Sequence, residues 1–279
     1  MAARANNLLQ VKGLTVDFDA DKSVAHRALD QVNLSIFEGE AVGLVGESGS
    51  GKTVLAHSIL GLLPGNGRVT NGCIEWLGRD LIGLREADLR RIRGKEISVI
   101  FQDPQASLNP VYAVGKQVEW VLKLHAGIVG SEAKAEVLRL FESVKLRDPD
   151  RCAKAYPHEL SGGMSQRVVI AMALACKPKL LIADEATSSL DVTTQAEIVG
   201  LLQEIRERLD MALLFVSHDL GLVSHLCQRV TVLHNGCVME SGTTSNVLSH
   251  PDNNYTKRLI EAARLHEFSG LNYANSPAL

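Results

Sequence analysis

Residues 46–53 constrain the fold of this chain more than any other segment. They read Gly-Glu-Ser-Gly-Ser-Gly-Lys-Thr, which matches the pattern of a phosphate-binding loop. The apolar run at 41–45 before them is typical of a buried parallel strand, and residues 53–63 have helical character and stop at Pro64. A strand, a glycine-rich loop and a helix in this order predict a site for the phosphates of a nucleotide.

The side chains of this loop have separate predicted roles. Its glycines permit positive φ, so that backbone amides can turn toward an anion. Lys52 is predicted to neutralise the β- and γ-phosphates, and the hydroxyl of Thr53 is predicted to ligate Mg²⁺. The predicted nucleotide-binding residues of the loop are Gly46, Glu47, Ser48, Gly49, Ser50, Gly51, Lys52 and Thr53.

Two later apolar segments end in polar residues that suit the same chemistry. The run at 180–185 ends in Asp184 and Glu185, at the end of a strand where side chains meet the nucleotide crevice. Asp184 is predicted to hold Mg²⁺, directly or through water, and Glu185 to orient or deprotonate the attacking water. The run at 212–216 is followed by His218, which is predicted to stabilise charge at the γ-phosphate. Taken alone, such carboxylates more often lie in a solvated turn and a lone histidine is more often packed, but the loop upstream favours catalysis.

Composition excludes several other classes of protein. The chain has 279 residues and a net charge of −3, so nothing indicates a nucleic-acid binder. The longest apolar run, residues 168–176, is far shorter than the ~18–20 residues of a membrane span. The 5 cysteines are scattered without a C-x-x-C pair, which is typical of free thiols in a reducing compartment.

Hydrophobic periodicity predicts an α/β fold in which a phosphate-loop NTPase core carries an N-terminal antiparallel β subdomain and an inserted helical subdomain. One domain is predicted over residues 1–265, with two short helices over 243–265 and a short tail at 266–279. Core strands are predicted near 97–101, 180–183, 212–216 and 230–234. The predicted parts are antiparallel strands at 8–40, the core at 41–101 and 167–242, and the helical part at 102–166.

One further motif distinguishes the chain from other phosphate-loop proteins. Residues 160–166 read Leu-Ser-Gly-Gly-Met-Ser-Gln, and over about residues 8–260 the chain resembles the nucleotide-binding subunits of ABC transporters. The matching segments are 46–53, Gln102 in Phe-Gln-Asp-Pro, 160–166, 180–185, 189–191 and His218. Within that family it is most similar to the peptide/nickel importer ATPases, through segments 43–53, 101–110, 156–167 and 191–198.

This resemblance implies an enzyme that binds ATP and Mg²⁺ between two cassettes arranged head to tail. Ser161, Gly162 and Gly163 of one cassette would close over ATP held by the phosphate loop of the other. Gln102 would contact Mg²⁺ and the attacking water, and Asp191 would contact the opposing phosphate loop. Because Gly162 and Gly163 expose backbone before a helix, they suit a second anion site.

The resemblance also implies partners and a location. The implied partners are membrane permeases, a second ATPase subunit and, indirectly, a substrate-binding protein. The chain itself is implied to be a peripheral protein at the cytoplasmic face of the inner membrane. The apolar residues Leu108, Val111 and Tyr112 in the stiff, proline-containing segment after Gln102 are predicted to dock a permease helix. The alternative is an ordinary inter-domain loop that folds onto the core of the chain itself. The transported solute and the identity of the second ATPase stay open.

Several alternatives remain at this point. Phe18 is predicted to stack on adenine, and the alternative is a core residue of an edge strand. An ATPase subunit of another class of ABC transporter stays an alternative. A DNA-repair ATPase of this family would carry a long coiled coil, whereas residues 64–159 have no sustained heptads and contain several prolines. A translation factor of this family would carry two cassettes.

Overall fold

Two β-sheets organise the chain, which the computed structural model describes over residues 7–20 and 23–273. The first sheet has four strands in the order β2-β1-β4-β5, with every pair antiparallel. These strands are β1 (Asn7–Ala20), β2 (Ser23–Phe37), β4 (Gly67–Trp76) and β5 (Arg79–Asp80). The alternating apolar residues of β1 and β2, among them Leu14, Val16 and Leu29, are fully buried.

This sheet extends beyond the antiparallel region predicted for residues 8–40. β4 pairs with β1 in a register that places Leu9 opposite Trp76, so residues 67–80 belong to this sheet and not to the parallel core predicted for 41–101. Only two residues of β4, Ile74 and Trp76, are buried. Because its pairing is long-range and its apolar pattern is short, local periodicity did not reveal it.

The second sheet positions the candidate site. Its order is β10-β9-β3-β8-β7-β6, and all pairs are parallel except β10 with β9. The strands are β3 (Ala41–Val45), β6 (Ile97–Ile100), β7 (Leu180–Asp184), β8 (Ala212–Ser217), β9 (Arg229–His234) and β10 (Cys237–Thr243). β3, β7 and β8 are buried throughout, as their continuous apolar runs indicate. Since these strands are parallel, the segments that follow them meet at one edge of the sheet.

Helices cover this sheet and form a separate layer. The helices are α1 (Lys52–Leu60), α2 (Glu86–Ile92), α3 (Val114–Val121), α4 (Gly130–Ser143), α5 (Pro149–Lys154), α6 (Gly162–Leu174), α7 (Val192–Leu209), α8 (Leu220–Leu226), α9 (Thr244–Ser249) and α10 (Asn254–Tyr273). A π-helical turn over Leu122–Ala126 continues α3. α3, α4 and α5 pack together through buried Val118, Val137, Phe141 and Cys152. In the described ranges no helix is long and apolar enough to cross a membrane.

The structure corrects two expectations in this region and at the end of the chain. Leu108, predicted to dock a permease helix, is 3% exposed and packs in the core with α3 and α4. The tail predicted from residue 266 is helical to Tyr273, because α10 continues past the predicted boundary. Its central residues, such as Ala262, Ala263 and Leu265, favour helix, and no proline interrupts them. Residues 274–279 lie outside the described ranges.

Candidate active site

The phosphate loop joins β3 to α1, and its backbone requires glycine. Gly46, Gly49 and Gly51 have φ values of 154°, 78° and 106°. A Cβ added to Gly46 would lie 2.1 Å from the carbonyl oxygen of Leu233, so this position has no room for a side chain. The loop therefore presents bare backbone at the start of α1, the arrangement that binds phosphate.

Lys52 lies inside the turn of this loop. Its side chain is 4% exposed, and Nζ donates hydrogen bonds of 2.9 Å to the carbonyl oxygens of Gly46 and Glu47. Burial lowers the pKa of Lys52, against the opposing influence of Glu185 and then Asp184. Nζ is 3.8 Å from Oε1 of Glu185. The ammonium group of Lys52 thus holds the loop in shape and places a positive charge beside Glu185, the predicted catalytic carboxylate.

Asp184 and Thr53 bring two hard oxygen ligands together. The Thr53 hydroxyl donates a hydrogen bond of 3.2 Å to Oδ1 of Asp184, although Thr53 lies in the first turn of α1 and Asp184 ends β7. Asp184 is 4% exposed, and burial raises its pKa, while the bond from Thr53 acts in the opposite direction. Nε2 of His57 lies 4.0 Å from Oδ2. A buried carboxylate with so few partners, beside a hydroxyl, fits Mg²⁺, whose charge would favour the ionised form.

Glu185 is turned out of the strand by its backbone. Its φ is 48°, in the left-handed region, and its N–H donates to the carbonyl oxygen of Val216 at 3.0 Å. Its carboxylate accepts a hydrogen bond of 3.2 Å from Nε2 of Gln102. Gln102 follows β6 and Glu185 follows β7, so the parallel pairing of these strands brings the two side chains together.

An open cleft of about 530 Å³ lies between the phosphate loop and the first sheet. Eight of the predicted site residues line it: Phe18, Ser48, Gly49, Gly51, Lys52, Thr53, Gln102 and Glu185. Phe18 is half-buried at the rim, where its ring packs over Gly67. Phe18 therefore has a face near the cleft and a contact with its own sheet, which fits both of its predicted roles.

Six lining residues are absent from the sequence prediction: His26, Arg27, Ala28, Val54, Asn235 and Gly236. Asn235 and Gly236 form the turn between β9 and β10, with φ values of 47° and 76°. The Gly236 N–H donates to the carbonyl oxygen of Ser50 at 2.9 Å, so this turn supports the phosphate loop. The Asn-Gly dipeptide between apolar runs is a strong hairpin signal that identifies this turn from sequence. Residues 26–28 carry no comparable signal, because only the packing of β2 brings them to the cleft.

Ser161, Gly162, Gly163 and Asp191, which are predicted to contact the second cassette, do not line this cleft. Ser161 caps α6 by accepting a hydrogen bond of 3.3 Å from the Met164 N–H, and Ser161 and Gly162 are exposed. Asp191 is exposed and caps α7 through the Thr194 N–H at 3.0 Å. A Cβ added to Gly163 would lie 3.0 Å from Cγ2 of Thr194, so the starts of α6 and α7 adjoin. These residues form a second exposed surface.

His218 also lies outside the lining of the cleft. It borders a neighbouring groove with Glu47, His234 and Tyr255. Glu47 belongs to the phosphate loop, so this groove adjoins the cleft at that loop. The role of His218 at the γ-phosphate therefore stays a prediction.

Comparisons with known proteins identify the family of this chain. The family model described as ABC transporter matches residues 29–188. The oligopeptide transport ATP-binding protein OppD of Haemophilus influenzae is 44% identical over 257 residues, which cover 92% of this chain and 79% of that protein. The dipeptide transport ATP-binding protein DppD of Escherichia coli is 45% identical over 262 residues, which cover 94% and 79%.

Solved structures show the same fold. The dimeric ATP-binding cassette MJ0796 bound to ADP and Pi aligns with a TM-score of 0.76 and 30% identity, over 85% of this chain and 99% of that one. CbiO1 of Clostridium perfringens, part of an ABC transporter complex, aligns with a TM-score of 0.74 and 26% identity, over 94% and 99%. The predicted fold class is confirmed, and the chain belongs to the ABC transporter family as one of its ATP-hydrolysing cassettes.

Proposed function

We propose that this chain hydrolyses ATP at an interface with a second cassette and thereby powers the import of peptides. One observation carries the two-cassette part of this proposal. The phosphate loop, Gln102 and Glu185 line one cleft, while Ser161 and Gly162 are exposed on a separate surface of the same chain. Both surfaces suit phosphate, and a head-to-tail pair uses each of them.

The chain's own residues account for the steps of hydrolysis. The loop amides and Lys52 hold the phosphates, and Thr53 and Asp184 would hold Mg²⁺. Bound Mg²⁺ supplies positive charge that offsets the negative charge of the phosphates. Gln102 and Glu185, joined at 3.2 Å, position a water for attack. Glu185 accepts a proton from this water as the water oxygen bonds to the γ-phosphorus, and the bond from that phosphorus to the bridging oxygen of the β-phosphate breaks, which releases ADP and inorganic phosphate. Ser161, Gly162 and Gly163 of the second cassette would close the site, beside Asp191.

An exposed apolar surface on the helical layer supports contact with a membrane partner. Val111, Tyr112 and Trp120 are 68%, 44% and 41% exposed, and the rings of Tyr112 and Trp120 meet edge to face at 4.7 Å. Such a patch suits an apolar partner helix. We therefore place the permease on this surface. The cassette is then a peripheral protein at the cytoplasmic face of the inner membrane. It acts on the substrate-binding protein only indirectly, through the permease.

The names of the relatives favour peptides over nickel as the transported solute. The direct test is to purify the chain with its native membrane partners, reconstitute the complex in vesicles, and measure ATP-dependent uptake of labelled short peptides and of Ni²⁺. Peptide uptake that requires ATP is expected, with no uptake of Ni²⁺. Uptake of Ni²⁺ alone would overturn the assignment of peptides, and a complex without ATPase activity would overturn the proposed reaction.

A further inference from the structure

The C-terminal helix α10 contacts the phosphate loop directly through one side chain. The Glu47 N–H, in the loop, donates a hydrogen bond of 3.3 Å to Oη of Tyr255, in the first turn of α10. These residues are separated by 208 positions in the chain. Tyr255 is only 6% exposed, so the bond is sheltered from solvent. Burial is the main cause that raises the pKa of this phenol, which therefore stays neutral at the pH of the cell.

The ring of Tyr255 makes a second contact, at the end of β9. It stacks on the ring of His234 with centroids 3.9 Å apart and planes 29° from parallel. His234 ends β9 and precedes the Asn235–Gly236 turn, whose Gly236 N–H donates to the Ser50 carbonyl oxygen. Tyr255 thus touches the phosphate loop at Glu47 and, through the hairpin, supports it at Ser50.

The start of α10 is itself fixed to the sheet. Glu240, on β10, accepts hydrogen bonds from the backbone N–H groups of Asp252 at 2.9 Å and Asn253 at 3.2 Å. Oδ1 of Asn253 then accepts the Tyr255 N–H at 2.8 Å. A continuous series of contacts therefore runs from β10, through Glu240 and the first residues of α10, to Tyr255 and the phosphate loop.

We propose that Tyr255 is a positioning residue for ATP binding, which holds the Glu47 peptide so that the phosphate loop is in its binding-competent shape before the nucleotide arrives. The inference rests on the proposed function of that loop. Without the phenol oxygen, the Glu47 N–H loses its partner and the loop samples other conformations. Apparent affinity then falls in proportion to the fraction of competent loop. Once ATP is bound the loop is held by the phosphates, so the rate of the chemical step is retained.

The test is Tyr255→Phe in the full-length chain, which keeps the ring stacked on His234 and removes only the hydroxyl. ATP affinity is measured by calorimetric titration, and KM and kcat are measured in the assembled complex. Loss of one neutral hydrogen bond predicts affinity about two- to tenfold weaker, with KM raised by a similar factor and kcat unchanged. Tyr156→Phe is the matched control, because it removes the hydroxyl of an exposed tyrosine that does not line the cleft, and it should leave affinity unchanged.

A second variant separates positioning from general stability. Glu240→Gln loosens the start of α10 and should weaken ATP binding in the same direction, and its effect in combination with Tyr255→Phe should be smaller than the sum of the two, because both act on one contact. Full ATP affinity in Tyr255→Phe would overturn the inference, as would additive effects or a fall in kcat with KM unchanged. Wild-type chain that fails to bind ATP would instead overturn the proposed function itself.

Discussion

Glu185 is suited to catalysis by its backbone as much as by its carboxylate. A positive φ at a residue with a side chain is strained, and such strain is found at sites where the neighbouring structure holds it in place. Here the hydrogen bond from its N–H to Val216 provides that restraint, and the side chain turns toward Gln102 and Lys52. Asp184, one residue earlier, stays buried toward Thr53. The two adjacent carboxylates, Asp184 and Glu185, therefore contact different side chains.

Changing Glu185 to Gln should retain ATP binding and lower turnover by about 10²–10⁴, because the amide keeps the shape but cannot accept the proton of water. The ATPase rate of the assembled complex and the nucleotide affinity of the chain are the quantities to measure. Glu142→Gln, at an exposed position on α4, is the matched control and should change neither. Near-normal turnover in Glu185→Gln would show that another group is the base.

At the scale of elements, the segment after β6 contains residues with opposite environments. Leu108 is in the core, whereas Val111 and Tyr112, a few residues later, are exposed. The prolines of this segment and the bonds from Gln117 Nε2 to the carbonyl oxygens of Asn109 and Tyr112, each 2.9 Å, hold it against α3. Some apolar residues of this segment therefore pack in the core, and others form an exposed surface.

Two aspartate substitutions should separate these environments. Tyr112→Asp should preserve the fold and ATP binding but prevent assembly with the permease, since the charge would face an apolar partner. Leu108→Asp should destabilise the chain itself by several kcal/mol, because it buries an unpaired charge. Thermal unfolding, ATP titration and pull-down with the permease measure these effects. Normal assembly of the Tyr112→Asp chain would place the docking surface elsewhere.

At the scale of the whole molecule, one chain carries two surfaces that are each predicted to contact ATP, and these two surfaces are separate on the chain. The cleft contains the phosphate loop and the carboxylates, and the starts of α6 and α7 present Ser161 and Asp191 on another surface. The start of α6, where Ser161 caps only the Met164 N–H, suits an anion, whereas the carboxylate of Asp191 already caps the start of α7. A second cassette is the simplest partner that completes both.

Gly162→Arg tests this arrangement without disturbing the isolated chain. A Cβ at Gly162 meets only Leu190 Cδ2, at 3.7 Å, so the monomer has room for the side chain. The arginine should leave ATP binding by the chain unchanged, prevent ATP-dependent association with the second cassette, and abolish most of the ATPase activity. Gly200→Arg, at an open and exposed position on α7, is the matched control. Full ATPase activity in the Gly162→Arg complex would contradict a shared site.

The amino-acid sequence by itself determined the chemistry and the core strands. These features are local: the glycine spacing of residues 46–53 and the apolar strands that end at Val45 and Asp184. Local features can be recognised in the sequence without knowledge of the fold. Only the tertiary structure decided the rest, because it depends on contacts between distant residues: the pairing of β4 with β1, the burial of Leu108, the approach of Arg27 to the cleft, and the bond from Tyr255 to Glu47. No periodicity within a segment specifies which distant segment it will contact.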